Sequence, residues 1–283
     1  MNLTPIEKHN EILFKRDDLF CPYGDVNGGK VRQTINLIKK HKPKGVIAAV
    51  SVHSPTGPVI SRVAKYYNIP CIIAVGGTKK ENLDKLPMMK LTKKWGGDIR
   101  IVAGHGMKNV VSSRMKTIQK EVGYFDMDFS KHIFSDGDLM FDTNSYQVQN
   151  IPNELDALVV SLGVGIQFSS ILKGIKRYNK KVKRIIGVQV GPDRRKLIDS
   201  YLNQNPLYEE RFNINYELHQ DTTAYSKVVE YKINNFYLDD IYEGKAYKWL
   251  LNNLDLNKKI LFWCIGRRLR NDEVESICKW WCV

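Results

Sequence analysis

The stretch GVIAAVSVHSPTGPVISRVAKYYNIPCIIAVGG, residues 45–77, decides the fold class. It opens on an apolar run, GVIAAVSV, passes through the loop SPTGP, continues as the helical segment VISRVAKYYN and closes on a second apolar run, IPCIIAVGG. A strand buried on both faces reads as a continuous apolar run rather than an alternating one, and two such runs joined by a helix make a parallel strand pair. Outward from this unit the rhythm repeats. Toward the C-terminus a helix is expected through LDKLPMMKLTKKWG, then the strand DIRIVAG and a helix over KNVVSSRMKTIQKEVG. Toward the N-terminus lie the strand ILFKRD, a Pro-Gly-Gly-rich loop and the helix KVRQTINLIKKHK.

Residues 121–155 are less regular and suit a crossover. The rhythm resumes with DALVVSLGVG, a helix from about Gln167 to Tyr178, and the strand RIIGVQVG. Residues 193–235 carry a faint pattern and are expected to form peripheral helices and loops. The helix EGKAYKWLLNNL, the buried strand KKILFWCIG and a terminal helix NDEVESICKWW complete an α/β chain whose parallel sheets are flanked by helices.

At 283 residues the chain suffices for one large domain or two modest ones. No apolar run reaches the roughly 18 to 20 residues that span a bilayer, and the start MNLTPIEKHNE lacks the order of a secretory signal, so a cytoplasmic location without membrane contact is expected. The five cysteines are odd in number and lack the spacing of a zinc site, so no disulfide framework and no metal are expected. A net charge of +14 gathers partly in KGIKRYNKKVKR, residues 173–184, and GRRLR, residues 266–270. Such runs form either a solvated face or a surface for nucleic acid or an anionic substrate.

Two glycine-containing turns are candidates for chemistry. SLGVGIQFSS, residues 161–170, follows the apolar strand and enters a helix, where backbone N–H groups and the helix dipole favour a phosphate. It lacks the third glycine of a dinucleotide turn and the Gly-Lys-Ser/Thr of a P-loop, and a plain tight turn is the other reading. In GDVNGGKVRQ, residues 24–33, Lys30 follows small residues that would let a flat ligand approach, and a shielded lysine suits imine chemistry. A solvent-facing lysine at a helix start is the alternative.

With these segments in place the chain resembles the fold type II, tryptophan-synthase-beta-like enzymes that use pyridoxal 5'-phosphate. The similarity is to their branch of 1-aminocyclopropane-1-carboxylate deaminase and D-cysteine desulfhydrase. FKRDDL with NGGKVR, AVSVHSPTGPVISRVA, SLGVGIQFSSILKGI, IIGVQV, and LDDIYEGKAYKWL followed by ILFWCIGRR carry it, in the family's order and over nearly the whole chain. The resemblance implies a two-domain fold, with a large cofactor-binding domain over 1–40 and 145–283 and a smaller α/β domain over 41–144. It also implies a homodimer.

It further implies site roles. Lys30 falls on the Schiff-base lysine, and Ser54 on the serine of the loop that holds the substrate carboxylate, with His53, Thr56 and Gly57 beside it as substrate contacts. Gly163, Val164, Gly165, Ile166 and Gln167 fall on the phosphate cradle, and Tyr242 and Glu243 on a catalytic Tyr-Glu pair. Cys264 and Ile265 fall at the strand end facing the cofactor ring, with Arg267 at the substrate mouth.

Three segments depart from the family's pattern. Pro55 replaces an asparagine that contacts the ring oxygen, Val164 and Gln167 replace cradle hydroxyls, and Cys264-Ile265-Gly266-Arg267 replaces His-Thr-Gly-Gly. The implied function is a lyase or deaminase acting on an amino acid or amino-acid-like group through an aldimine with Lys30. Charge and departures leave two alternatives: an enzyme that modifies an amino-acid-bearing nucleotide or DNA base, and an inactive basic nucleic-acid-binding protein on the same scaffold.

Overall fold

The computed structural model describes residues 2–203 and 213–279. In chain order the elements are β1 (Ile6–His9), β2 (Ile12–Arg16), α1 (Gly29–His41), β3 (Val46–Ala49), α2 (Thr56–Tyr66), β4 (Cys71–Gly76), α3 (Pro87–Lys94), β5 (Gly97–Ala103), α4 (Lys108–Val122) and β6 (Phe125–Asp126). There follow α5 (Phe129–Ser135), α6 (Gly137–Ser145), β7 (Glu154–Leu162), α7 (Ile166–Arg177), β8 (Lys181–Gln189), α8 (Arg195–Asn203) and β9 (Glu217–Gln220). The hairpin β10 (Lys232–Ile233) and β11 (Phe236–Tyr237), then α9 (Glu243–Asn253), β12 (Ile260–Cys264) and α10 (Asn271–Lys279), complete the order.

The chain divides into two units, one of Met1–Phe20 and Ser130–Arg267, the other of Cys21–Phe129 and Arg268–Val283. The first holds a six-stranded sheet in the order β1-β2-β12-β7-β8-β9, parallel throughout except for the β1–β2 hairpin. Side chains alternate between its faces. Leu158, Val160, Leu261 and Trp263 meet Phe168, Ile171 and Leu172 of α7 and Ile198 and Leu202 of α8 on one side. Ala157, Val159, Phe262 and Cys264 meet Ala246, Tyr247 and Leu250 of α9 on the other. Central strands covered on both faces explain the unbroken apolar runs.

The edge strands differ. Both β1, IEKH, and β9, ELHQ, are polar and partly exposed. Short polar edges resist pairing with another chain, and they also lack a period that reads as a strand. This is why β9 emerges where only helices and loops were expected.

The second unit holds the all-parallel sheet β5-β4-β3-β6. Its core includes Ile47, Ile72, Ala74, Val111 and Met115. The helix expected through residues 83–96 is shorter, because Pro87 begins it: 3-10 turns cover Lys80–Lys85 and α3 starts at the proline. Proline has no N–H to donate and is tolerated in a helix only in its first turn.

The division also differs from the boundaries at 40/41 and 144/145. Residues 21–40 fall with the smaller sheet, because Arg62 of α2 clips the loop before α1. Its Nε donates to Asp25 Oδ2 at 3.1 Å and its Nη2 to the Tyr23 carbonyl at 3.3 Å. The last helix joins the same unit through α3, where Lys90 pairs with Glu275 and Lys94 Nζ donates to the Cys278 carbonyl. Trp280 and Trp281 of the expected terminal helix lie outside the described residues.

Candidate active site

In the second unit, two separate stretches of sequence bring a lysine and two hydroxyls together. Gly28 sits at φ +84°, a conformation cheap only for glycine, and turns the chain into α1 so that Lys30 lies in its first turn. Lys30 is half-buried, and its Nζ donates to Thr56 Oγ1 at 3.2 Å. Thr56 opens α2. Its hydroxyl accepts from Ser54 Oγ at 3.0 Å, and its N–H donates back to Ser54 Oγ at 3.2 Å.

The expected lysine is therefore tied to the expected serine loop across 26 positions of sequence. Beside it, the first N–H groups of α2 form a terminus suited to a carboxylate. Gly57 is buried against Thr92, whereas His53 is exposed with no side-chain partner among the described residues. Pro55 begins the turn with helical dihedrals of φ −67° and ψ −8° and offers no N–H of its own.

In the first unit, residues 163–167 form the turn between β7 and α7. Gly165 has φ +87°, and a Cβ there would come within 2.9 Å of Ile198 on α8. Gly163 lies under the Tyr242 ring, which a Cβ would approach to 3.1 Å. Val164 is exposed, Ile166 is buried, and the Gln167 side-chain nitrogen is buried without a hydrogen-bond partner. A buried amide N–H without an acceptor is costly and marks a place for a missing oxygen.

The motif DDIYEGKA, residues 239–246, gains a physical reason for each of its distinctive residues. Asp239 Oδ1 accepts the N–H groups of Ile241 and Tyr242, fixing the entry to α9. Glu243, 2% exposed, accepts the N–H of Asp239 on Oε2 at 3.0 Å and those of Ile265 and Gly266 on Oε1 at 2.7 and 3.2 Å. Burial, with the Asp239 and Asp18 carboxylates nearby, pushes its pKa up to about 8, against the N–H donors that favour the ionised form. A Cβ on Gly244 would collide with the Val229 carbonyl at 1.8 Å. Buried Lys245 donates to the carbonyls of Ala224 and Tyr225 at 2.9 and 3.3 Å.

That last tie brings the Tyr225 hydroxyl to within 2.9 Å of the Tyr242 hydroxyl. The Tyr242 phenol thus has a second phenol bonded to it, while Glu243 has its carboxylate turned to backbone at the end of β12. Tyr225 was not expected from the sequence, since it sits in a stretch without pattern.

The end of β12 keeps its regular register, Cys264 opposite Arg16. Cys264 is therefore buried among the α9-side apolar residues, its thiol pKa pushed well above the ordinary value by burial, while Ile265 packs toward the opposite face. Arg267 is partly buried. Burial raises the pKa of Asp18 even though Arg16 and Arg267 oppose it, and Arg16 holds Asp18 at 2.8 Å and lies 3.5 Å over the Phe236 ring. The KRDD signature is thus a buried structural cross-link, with Lys15 Nζ donating to the Thr4 carbonyl at 2.7 Å.

The basic run at 173–184 is largely paired: Arg177 with Asp142, Lys181 with Glu154, Lys183 with Asp156 and Arg184 with Glu217. Lys173 is buried over the Phe141 ring at 3.8 Å, and burial lowers its pKa to about 8.

The donor set at 163–167 fits a phosphate: glycines that allow close approach, helix N–H groups, and an unanswered buried amide. The two sheets and their covering helices are those of the fold type II class of enzymes that use pyridoxal 5'-phosphate. The family model described as pyridoxal-phosphate dependent enzyme matches residues 2–214, and the chain belongs to that family.

Among solved structures, an ACC deaminase homologue aligns with a TM-score of 0.74 at 20% identity, over 94% of this chain and 90% of that one. O-ureido-L-serine synthase aligns at 0.65 and 13%, over 93% and 89% of the two chains. A hydrogen sulfide-producing enzyme from Fusobacterium nucleatum aligns at 0.63 and 14%, over 93% of each. At these identities the likeness is one of fold. No curated protein matches the sequence. Among the described residues no helix is long and apolar enough to cross a membrane.

Proposed function

We propose that the protein is a lyase or deaminase acting on an amino acid or an amino-acid-like compound, with Lys30 covalently attached to the cofactor in the resting enzyme. The observation that carries this reading is the hydrogen bond from Lys30 Nζ to Thr56, itself bonded to Ser54, at the start of α2. The similar folds belong to proteins named for a deaminase homologue, an amino-acid synthase and a sulfide producer, which agrees with amino-acid chemistry.

In this reading the α2 N-terminus and the Ser54 and Thr56 hydroxyls bind and orient the substrate carboxylate. Residues 163–167 hold the cofactor phosphate, and the Gln167 amide gains the acceptor it lacks. The cofactor ring supplies an electron sink for negative charge at the carbon beside the substrate amine. Lys30, held beside the Thr56 hydroxyl, would take or return a proton at that carbon. Tyr242 holds a second transferable proton on its hydroxyl, and Tyr225, exposed and hydrogen-bonded to it, connects that proton to solvent. Glu243 acts through backbone, keeping residues 265 and 266 in place, and is a positioning residue.

The test is a visible absorbance band on reconstitution with pyridoxal 5'-phosphate, which Lys30→Ala abolishes. The band must then change with members of a panel of D- and L-amino acids, with release of ammonia or of the side-chain leaving group. A reconstituted protein whose band survives Lys30→Ala, or which no amino acid perturbs, refutes the proposal.

A further inference from the structure

The turn at 163–167 brings few side-chain donors to a dianion, since Val164 is apolar and position 167 carries an amide where a hydroxyl was expected. Beside it stands a cation that the sequence did not single out. Strands β7 and β8 are parallel neighbours with Leu162 opposite Gln189, so the loops that follow them leave the same end of the sheet. Arg194, at the end of the second loop, donates from Nε to the Gly163 carbonyl at 3.0 Å in the first. Its own N–H is held by Gln189 Oε1 at 2.7 Å.

The guanidinium is therefore anchored at its neck, and its Nη donors have no protein partner among the described residues. The adjacent carboxylate does not neutralise it: Asp193 Oδ1 accepts the Arg195 N–H at 2.9 Å, and Arg195 itself lies 5.2 Å from the Tyr216 ring. A half-buried, oriented guanidinium with free donors matches the oxygens of a phosphate monoester, and charge-assisted bonds of this kind are roughly twice as strong as neutral ones.

We propose that Arg194 is the specificity-determining residue for the cofactor phosphate, taking over the work of the missing cradle hydroxyls. The proposal rests on the reading of residues 163–167 as the phosphate cradle and adds to it a residue outside the glycine turn.

The experiment compares two ligands with the same ring and aldehyde, pyridoxal 5'-phosphate and pyridoxal, titrated by absorbance into cofactor-free wild-type, Arg194→Gln and Arg194→Lys proteins of matched thermal stability. Arg194→Gln is expected to weaken pyridoxal 5'-phosphate by about 10- to 100-fold, the loss of one or two charge-assisted bonds, and to leave pyridoxal within about twofold. Arg194→Lys, which keeps the charge without the fork, is expected to fall between. Inorganic phosphate should compete against pyridoxal 5'-phosphate in the wild type and much less in Arg194→Gln. Equal weakening of both ligands overturns the proposal by making Arg194 a shaper of the turn, and so does no weakening of either. A wild type that binds both ligands equally overturns the cradle itself, whereas a phosphate preference that persists in Arg194→Gln overturns the Arg194 assignment alone.

Discussion

Replacing Glu243 by glutamine isolates a buried proton. The carboxyl is 2% exposed, faces three backbone N–H groups, and has its pKa pushed up to about 8 by burial and by Asp239 and Asp18. The native state then holds the proton up to about pH 8, whereas the unfolded chain releases it near the ordinary value of 4.5. Between those limits the native state binds more protons, so its stability falls as pH rises. The interval is about 3.5 pH units, and at ~1.36 kcal/mol for each the ceiling on the loss is about 5 kcal/mol. The N–H donors aimed at the carboxylate pull the other way, and the value of about 8 already includes their pull.

Glutamine keeps the shape and does not titrate. Every other group is shared by the two proteins, so the difference between them reports this one carboxyl. Urea unfolding of cofactor-free wild type and Glu243→Gln, followed by the fluorescence of buried Trp263 on the neighbouring strand, gives that difference at pH 5, 6, 7 and 8. The wild type is expected to lose ground steadily against the variant over this series. A difference that stays within about 1.4 kcal/mol, one pH unit's worth, or that grows in favour of the wild type as pH rises, refutes a buried neutral carboxyl. The N–H donors would then have won, with an ionised Glu243 at neutral pH.

Two further changes test the clips around the site. Gly163→Ala brings a Cβ to 3.1 Å from the Tyr242 ring and should displace the phenol, weakening cofactor binding about tenfold in an absorbance titration while costing only about 1 kcal/mol in thermal unfolding. Arg62→Ala leaves the buried Asp25 carboxylate without its cation and removes a guanidinium lying 4.3 Å from the Trp95 ring, so chemical denaturation should show a loss of about 3 kcal/mol.

Local pattern in the sequence determined the alternation of strands and helices, the glycine turn that opens α7 and the lysine that follows Gly28. Each of these depends on periodicity or on a backbone conformation that few residues can adopt. The edge strands β1 and β9 escaped because polar, half-exposed strands carry no such period. Tertiary structure alone decided what the polar residues do. Glu243 reads as a catalytic partner of Tyr242, yet its carboxylate meets the backbone of residues 265 and 266, more than twenty positions away. Arg194 reads as one charge in a basic chain, yet the pairing of β7 with β8 delivers its Nε to Gly163, 31 positions earlier. Hydrogen-bond partners at such separations are fixed by which strands lie side by side, and that order arises only when the whole sheet closes around its two apolar faces.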